Sequence, residues 1–553
     1  MERRHGQTTT FQVGDDVFIA EPGGREVRVS ASLRRGDSAT PAENSNGMFR
    51  FRRMFRNPPL GEFRPDPQGL IALGQAMGDT QATKHADNIP AGYVYFGQFV
   101  DHDLSFDKNT HKLNLDPLNP EDALSLRSPT LDLDSLYGLE PSVVKETDLG
   151  KRVYDDDGVR LRVGETQLES SQLIVGRFPA TERSYLNDLP REGHPDKKQA
   201  AAILDPRNDE NLAVAQTHLA FIKFHNAVVD RFEKEMSAAG QTVSPAELFT
   251  KAREAVIQHY QYIILKDYLP KIIDRGILND VLDNGVQHLR FSRNEEPLMP
   301  VEFSVAAFRL GHSFINSSYE WNSVFTSSAG GFRPASLFVH LFSFTGFGSS
   351  NLFSQNALPS SWIIDWRRFY DFRDFNDMGA VQGFNLARKI GPSVISELMN
   401  LEPFPGEDDP HLRTLPVRSL LRGRLLGLPS GQSVARRLGF PADYLSEEIT
   451  KHHPAILRDF GFDRSTPLWY YILLEADVLN DGKFLGPVGS RIVAETFVAL
   501  IKRSKISILP RADSGQPTFK PYLGRPDKEF SMAELLYFVH RSFPDEQFLN
   551  PLG

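Results

Sequence analysis

Long stretches of this chain place apolar side chains at helical spacing, and few alternate as strands do. That periodicity constrains the fold more than any other feature. One helix start is sharp: Ser244-Pro245-Ala246-Glu247 is a capping box with proline at the first helical position. Behind it Leu248, Ala252, Val256, Tyr260, Ile263 and Ile264 recur at helical spacing, and Pro270 is expected to stop the pattern. A second helix is expected from about Asp209 to Glu235, with Leu212, Ala215, Leu219, Ile222 and Phe232 as its apolar stripe. A third should contain Ser304 to Ile315, and a fourth should run from Arg491 to Lys502 with Ile492, Ala494, Phe497 and Ile501 inward. The expectation is a mainly α fold. Residues 1–46, polar and rich in Gly, Arg, Ser and Thr, read as an N-terminal arm with one hairpin around Phe11–Ala20. Residues 47–553 read as one large helical domain, and the Pro- and Asp-rich stretch Glu402–Pro410 as a loop within it.

Composition narrows the partners. The 553 residues carry 62 basic and 71 acidic side chains, a formal net charge of −9. That balance argues against nucleic acid as the main partner and against docking on an anionic membrane. With no cysteine, disulfides, thiolate nucleophiles, iron–sulfur clusters and thiolate-ligated or thioether-linked haem are excluded. No apolar run approaches the roughly 18 residues of a membrane span. Met1 to Phe11 lacks the apolar core of a standard signal peptide, so the expected location is cytoplasmic, or secreted by another route. The 40 Phe residues suit a thick helical core or an apolar cofactor pocket.

Four polar clusters stand out. The densest is Gly97-Gln98-Phe99-Val100-Asp101-His102-Asp103-Leu104-Ser105-Phe106, where Phe96, Phe99, Val100, Leu104 and Phe106 predict burial. Gln98, Asp101, His102 and Asp103 inside such a stretch are costly without partners, and clustered buried ionisable groups mark functional sites. The second, Asp205-Pro206-Arg207-Asn208-Asp209-Glu210-Asn211, opens the second helix and sets Arg207 and Glu210 three residues apart. The third, Phe308-Arg309-Leu310-Gly311-His312-Ser313-Phe314-Ile315, puts His312 on an apolar helix beside Gly311. The fourth, Ser128 to Gly138, carries oxygen side chains at Ser128, Thr130, Asp132 and Asp134 that can converge on a hard cation. Taken singly, each also reads as an ordinary surface cluster, helix cap, core histidine or acidic turn.

Taken in this order they resemble the animal-type haem peroxidases of the peroxidase–cyclooxygenase superfamily, especially bacterial members. Ile89-Pro90-Ala91-Gly92-Tyr93 through Asp107 is similar to the family's distal helix, and Phe308 to Ile315 to its proximal-histidine helix. Arg207 and Glu210 fall on its catalytic arginine and haem-linking glutamate. Two later blocks also resemble the family: Leu421-Arg422-Gly423-Arg424 with Gly427-Leu428-Pro429-Ser430-Gly431-Gln432, and Thr466-Pro467-Leu468-Trp469-Tyr470 through Gly486 to Glu495. The likeness spans about residues 45–510.

The resemblance implies haem b in a central helical core. It makes His102 the distal acid–base residue toward hydrogen peroxide, Arg207 its charge-stabilising partner and Gln98 the residue of the halide site. It makes His312 the proximal iron ligand and places Arg309, Ser419 and Arg422 around the cofactor. Ser419 stands where the family usually has an asparagine accepting the second N–H of the proximal histidine. Asp101 and Glu210 match the carboxylates that form ester bonds to haem, whereas Asn211 replaces the methionine of a sulfonium link. Asp103, Ser128, the carbonyl of Thr130, Asp132 and Asp134 would bind Ca2+. The implied activity is a peroxidase oxidising halide, thiocyanate or small aromatic donors. Two rivals remain: a fatty-acid dioxygenase of the same superfamily and a non-catalytic adhesion or structural protein on the same scaffold. Arg309 argues against the first, because those dioxygenases carry a radical tyrosine three residues before the proximal histidine. Retention of His102, Arg207 and His312 argues against the second.

Overall fold

In the computed structural model, two long helices pack against each other through their aromatic faces. The structure describes residues 10–13, 16–20, 26–30 and 49–552, without 57–58, 79–84, 108–116, 139–140, 192–199, 293–296, 328–330, 332–335, 347–356, 380–382, 402–408, 442, 453, 510–518, 547 and 550–551. Most of the expected Glu402–Pro410 loop lies outside these residues. The first of the two helices is Gly92–Leu104 and the second Leu212–Ala238. Phe99 stacks on Phe221 with centroids 4.8 Å apart, and Phe96 stacks on the same ring at 6.2 Å. Tyr260 meets all three edge-on and Tyr268 meets Phe96 edge-on at 5.3 Å. Such pairs favour one relative placement of the helices beyond simple area burial. Much of the phenylalanine excess is thus core.

Strand content is small, as the lack of alternation predicts. The N-terminal segment forms three antiparallel strands, Thr10–Val13, Asp16–Ala20 and Glu26–Ser30, with Phe11 opposite Phe18. The expected hairpin is therefore present, with one more strand. Phe49–Arg52 pairs antiparallel with Leu124–Ser125 and parallel with Met299–Pro300. His85–Pro90, leading into the first helix, pairs antiparallel with Leu386–Arg388.

The helices differ from expectation in three instructive places. The second begins at Leu212, because Pro206–Asp209 forms a 3₁₀ turn and Asn211 is the cap, its Oδ1 accepting from Val214 N at 3.0 Å. The capping box at Ser244 and Glu247 is present, but Pro270 does not stop that helix. Pro245–Tyr262 continues through a π-helical turn, Ile263–Tyr268, into Leu269–Ile272, where Pro270 occupies the opening of the last turn and its missing N–H costs least. The stretch expected as one helix around His312 is instead three short pieces: Val301–Ser304, a 3₁₀ turn Ala307–Leu310, and Gly311–Phe314. Helical geometry is lost at Ala306 (φ −130°, ψ −75°), and the Arg309 side chain bonds the carbonyl of Ser304 at 3.1 Å. The fourth helix, Pro487–Arg503, is close to its expected span.

Gly97 sets how near the first helix lies to the π turn. A Cβ there would stand 2.3 Å from the Tyr268 hydroxyl and 3.1 Å from its Cζ. Gly97→Ala should therefore cost about 1–3 kcal/mol in denaturant unfolding. Adding Tyr268→Phe removes the nearest atom and should recover part of the loss; equal stability of Gly97→Ala and wild type would contradict the close approach.

Candidate active site

Helix Gly92–Leu104 is buried on nearly every side, His102 and Asp103 included. Gln98, Asp101 and Ser105, spaced at three and four residues, are only half-buried and share one face with His102. His102 lies against the turn that opens the second helix. Its Nδ1 bonds Asn208 Oδ1 at 2.8 Å, while Asn208 Nδ2 bonds Nδ1 of His218 at 3.0 Å. An amide oxygen only accepts and an amide nitrogen only donates. His102 therefore carries its proton on Nδ1 and keeps a lone pair on Nε2, and His218 is the opposite tautomer. Burial lowers the His102 pKa and Arg207 adds to the effect, against opposition from Glu210, Asp205 and Asp101. Burial pushes His218 down to about 3. Both rings are neutral near pH 7.

Arg207 is fastened at nearly every donor. Its Nε and Nη2 bond the two oxygens of Asp205 at 3.0 and 2.7 Å. The remaining bonds go to the carbonyls of Ser105 and His102, 2.8 and 2.7 Å away at the C-terminal end of the first helix. The guanidinium also lies 3.9 Å from the Phe106 ring centroid. Asp205 is fully buried and shared, because Arg127 Nε and Nη2 bond its Oδ2 at 3.0 and 2.9 Å. Burial alone would raise the Asp205 pKa; Arg207 and Arg127 instead hold it well below the usual carboxylate range. Arg127 reaches on to the carbonyls of Leu204 and Asp134. Glu210 is buried beside this group, and the Asn211 amide bonds Gln98 Oε1 at 3.0 Å.

The loop at 127–135 brings its oxygens to Asp103. Asp103 accepts from Leu133 N, Ser135 N, Ser135 Oγ and Tyr260 OH at 3.2–3.4 Å. Ser128 Oγ lies 2.6 Å from both Thr130 Oγ1 and Asp134 Oδ2. Burial pushes the Asp103 pKa well up and Asp134 and Asp132 add to it; burial and Asp134 push Asp132 up to about 7. The buried Asp132 Oδ1 has no hydrogen bond among the described residues. Among the described residues, no three His, Asp or Glu side chains form a ready metal cage. The loop's side-chain oxygens bond one another and Asp103 faces backbone amides.

His312 is half-buried on Gly311–Phe314, edge-on to Trp469 at 6.1 Å. Burial, with Arg309 and Arg422 close by, pushes it down to about 3. Among the described residues, its Nδ1 and the Ser419 hydroxyl are both buried without a hydrogen bond, so Ser419 does not make the contact that the family's usual asparagine makes. A serine hydroxyl sits one bond nearer the backbone than an asparagine amide. A pocket lies between the two histidine-bearing segments, lined by Asp101, Ser105 and Asp107 from one and Ser304, Val305 and Arg309 from the other, with Arg422 between; neither histidine is among its lining residues. Arg422 Nη1 is 3.8 Å from Asp107. Val305 also lines a second pocket with Ser419, Arg424 and Trp469.

The sequence model of the family described as Animal haem peroxidase matches residues 108–502, more than half of the chain. The chain belongs to the animal haem peroxidase family. Heme peroxidase 2 of Caenorhabditis elegans is 32% identical over 315 residues, 54% of this chain and 38% of that protein. Thyroid peroxidase of Rattus norvegicus is 25% identical over 205 residues, 37% of this chain and 21% of that protein. These matches span well under half of either relative. Among solved structures, peroxidase A of Dictyostelium discoideum shares the fold with TM-score 0.54 and 16% identity, covering 84% of this chain and 90% of that one. Fatty acid alpha-dioxygenase of Arabidopsis thaliana does so with TM-score 0.55 and 13% identity, over 99% and 85%. The mainly α fold expected from sequence is thus that of the superfamily.

The haem implied by an animal peroxidase fits the residues present. His312 is neutral, as an iron ligand must be, and its ring lies near two arginines suited to the propionate carboxylates. Among the described residues, buried Ser304 Oγ, Ser419 Oγ and Arg422 Nε have no hydrogen-bond partner. Of the residues expected at the site, Gln98, Asp101, His102, Arg207 and Glu210 converge with Asn211, and Arg309 and Arg422 converge near His312. Sequence reasoning missed Asn208, His218, Asp205 and Arg127. Asn208 and Asp205 flank Arg207 in the cluster already noticed, whereas nothing local distinguishes His218 or Arg127.

Removing one member of a buried ion pair leaves a charge uncompensated. Asp205→Asn should cost about 3–5 kcal/mol in denaturant unfolding at neutral pH. Because the folded-state pKa is depressed, the stability from Asp205 is present above its unfolded pKa and is lost as pH falls below about 4. The gap between wild type and variant should therefore narrow in that direction; a gap independent of pH would exclude an ionised Asp205.

Proposed function

We propose that this protein is a haem-dependent peroxidase that reduces hydrogen peroxide while oxidising a small donor, a halide, thiocyanate or a small aromatic. One observation carries the reading. The two segments that wall the pocket beside Arg422 each bear a neutral histidine, and His102 is held by Asn208 in the tautomer of a general base. When bound, haem supplies the exchange of electrons between peroxide and donor. His102 takes a proton at Nε2 from the near oxygen of hydrogen peroxide and returns it to the leaving oxygen. Arg207 keeps a fixed positive charge beside that ring, favouring the neutral base and stabilising negative charge that develops nearby. Its bonds to the His102 and Ser105 carbonyls also hold the end of the helix. His312 serves as the neutral ligand to iron, Arg309 and Arg422 hold the propionates, and Asp101 and Glu210 are the carboxylates available for ester links. Arg309 in place of a radical tyrosine favours peroxidase over fatty-acid dioxygenase chemistry, despite the shared fold.

Loss of the Soret band in His312→Ala, with the band kept in His102→Ala, is the expected pattern. His102→Ala should slow the peroxide reaction by about 10²–10⁴ in stopped flow. In wild type, the lowered His102 pKa keeps the base form available below pH 6.5, so the acid limb of the rate profile should fall below the ordinary histidine value of about 6.5. Wild-type rates in His102→Ala would sink the mechanism.

The 127–135 loop is proposed to hold Ca2+ through Asp103, Ser128, the Thr130 carbonyl, Asp132 and Asp134. Three acidic side chains close together, with the buried Asp132 Oδ1 left without a hydrogen bond among the described residues, suit a hard cation. Chelator treatment should lower the thermal midpoint and Ca2+ should restore it; Asp132→Asn should abolish that response. A midpoint indifferent to chelator and to added Ca2+ would remove the ion from the account.

A further inference from the structure

Amide side chains present a donor at one end and an acceptor at the other, and here one amide decides which end of its neighbour is available. The chain of bonds starts at a backbone group whose polarity is fixed. Val214 N–H donates to Asn211 Oδ1 at 3.0 Å, so Asn211 Nδ2 must be the end that points to Gln98. Nδ2 donates to Gln98 Oε1 at 3.0 Å. The Gln98 carbonyl is thereby occupied, and among the described residues its Nε2 makes no hydrogen bond. Gln98 is half-buried on the same helix face as Asp101, His102 and Ser105, of which Asp101 and Ser105 line the cavity.

We propose that Asn211 is a positioning residue that sets the polarity of Gln98, turning its N–H₂ toward the site so that it donates to a small monovalent anion such as thiocyanate or a halide. This rests on the peroxidase reading and deepens it by naming what selects the donor. Asn211 also caps the helix through the same amide, so the orientation is tied to the fold and does not depend on the anion. Asp101 and Glu210 oppose an anion electrostatically, and ester formation with haem would remove both charges.

Asn211→Asp tests this almost isosterically. Aspartate keeps the cap, because a carboxylate oxygen still accepts from Val214 N. It cannot donate to Gln98, so Gln98 must turn its own N–H₂ toward the aspartate and show its carbonyl to the anion. Thiocyanate titration of the resting holoenzyme, followed at the Soret band, should saturate in wild type and weaken about tenfold or more in Asn211→Asp. The new negative charge would by itself repel thiocyanate, so the same substitution is made in Gln98→Leu. There only the repulsion remains, so the loss should be clearly smaller than in the Gln98 background, because no amide remains to be turned. In steady state, Asn211→Asp should raise KM for thiocyanate far more than it lowers kcat. Equal losses in both backgrounds would show that charge alone acts and overturn the proposal, as would a wild-type holoenzyme with a normal Soret band and no saturable response. Wild type without a Soret band would instead overturn the peroxidase reading, and this inference with it.

Discussion

A single carboxylate ties the site together. Asp205 is fully buried and accepts from two arginines, one on each side. Through Arg207 it reaches the carbonyls at the end of helix Gly92–Leu104, two residues of which are His102 and Asp103. Through Arg127 it reaches the loop whose oxygens gather near Asp103. Desolvating three charges together is tolerable only because every one is paired and hydrogen-bonded. Distal helix, oxygen-rich loop and the turn at Pro206–Asp209 therefore cannot shift independently. A displacement of any one would leave a buried charge short of its partner.

The same geometry gives Arg207 two tasks. An arginine free in the pocket would act only as a charge. Bound as it is to a carboxylate and two helix-terminal carbonyls, it also satisfies groups that the end of a helix leaves open. Its positive charge at that C-terminal end is favourable in its own right. This accounts for a guanidinium beside a histidine base without any need for the arginine to move.

Local signals were legible and long-range ones were not. The capping box at Ser244 depends on four adjacent residues, and the structure contains it as read. The residue types of the distal cluster were also visible, because Asp101, His102 and Asp103 are anomalous in so apolar a stretch. Pro270 misled because a π turn ahead of it allowed the helix to reopen, and that turn leaves no mark in apolar spacing. The break at Ala306 was hidden because apolar residues continue across it. Arg127 and Asp205 are 78 residues apart, and no periodicity connects them. The alternating oxygens at 128–134 do lie close together, but the spacing gave no hint that Ser128, Thr130 and Asp134 bond one another.

Asn208 serves two histidines with opposite ends of one amide. The two rings are consequently unable to choose their tautomers separately: a proton placed on the Nδ1 of His218 would demand that the amide turn over, and His102 would then lose the acceptor that holds its own proton. His218 shows no other sign of involvement in the reaction. Over evolutionary time the three should change as a set, so that a lineage giving up His218 would be expected to replace Asn208 as well, and relatives would carry either the whole triplet or some other means of fixing the distal ring.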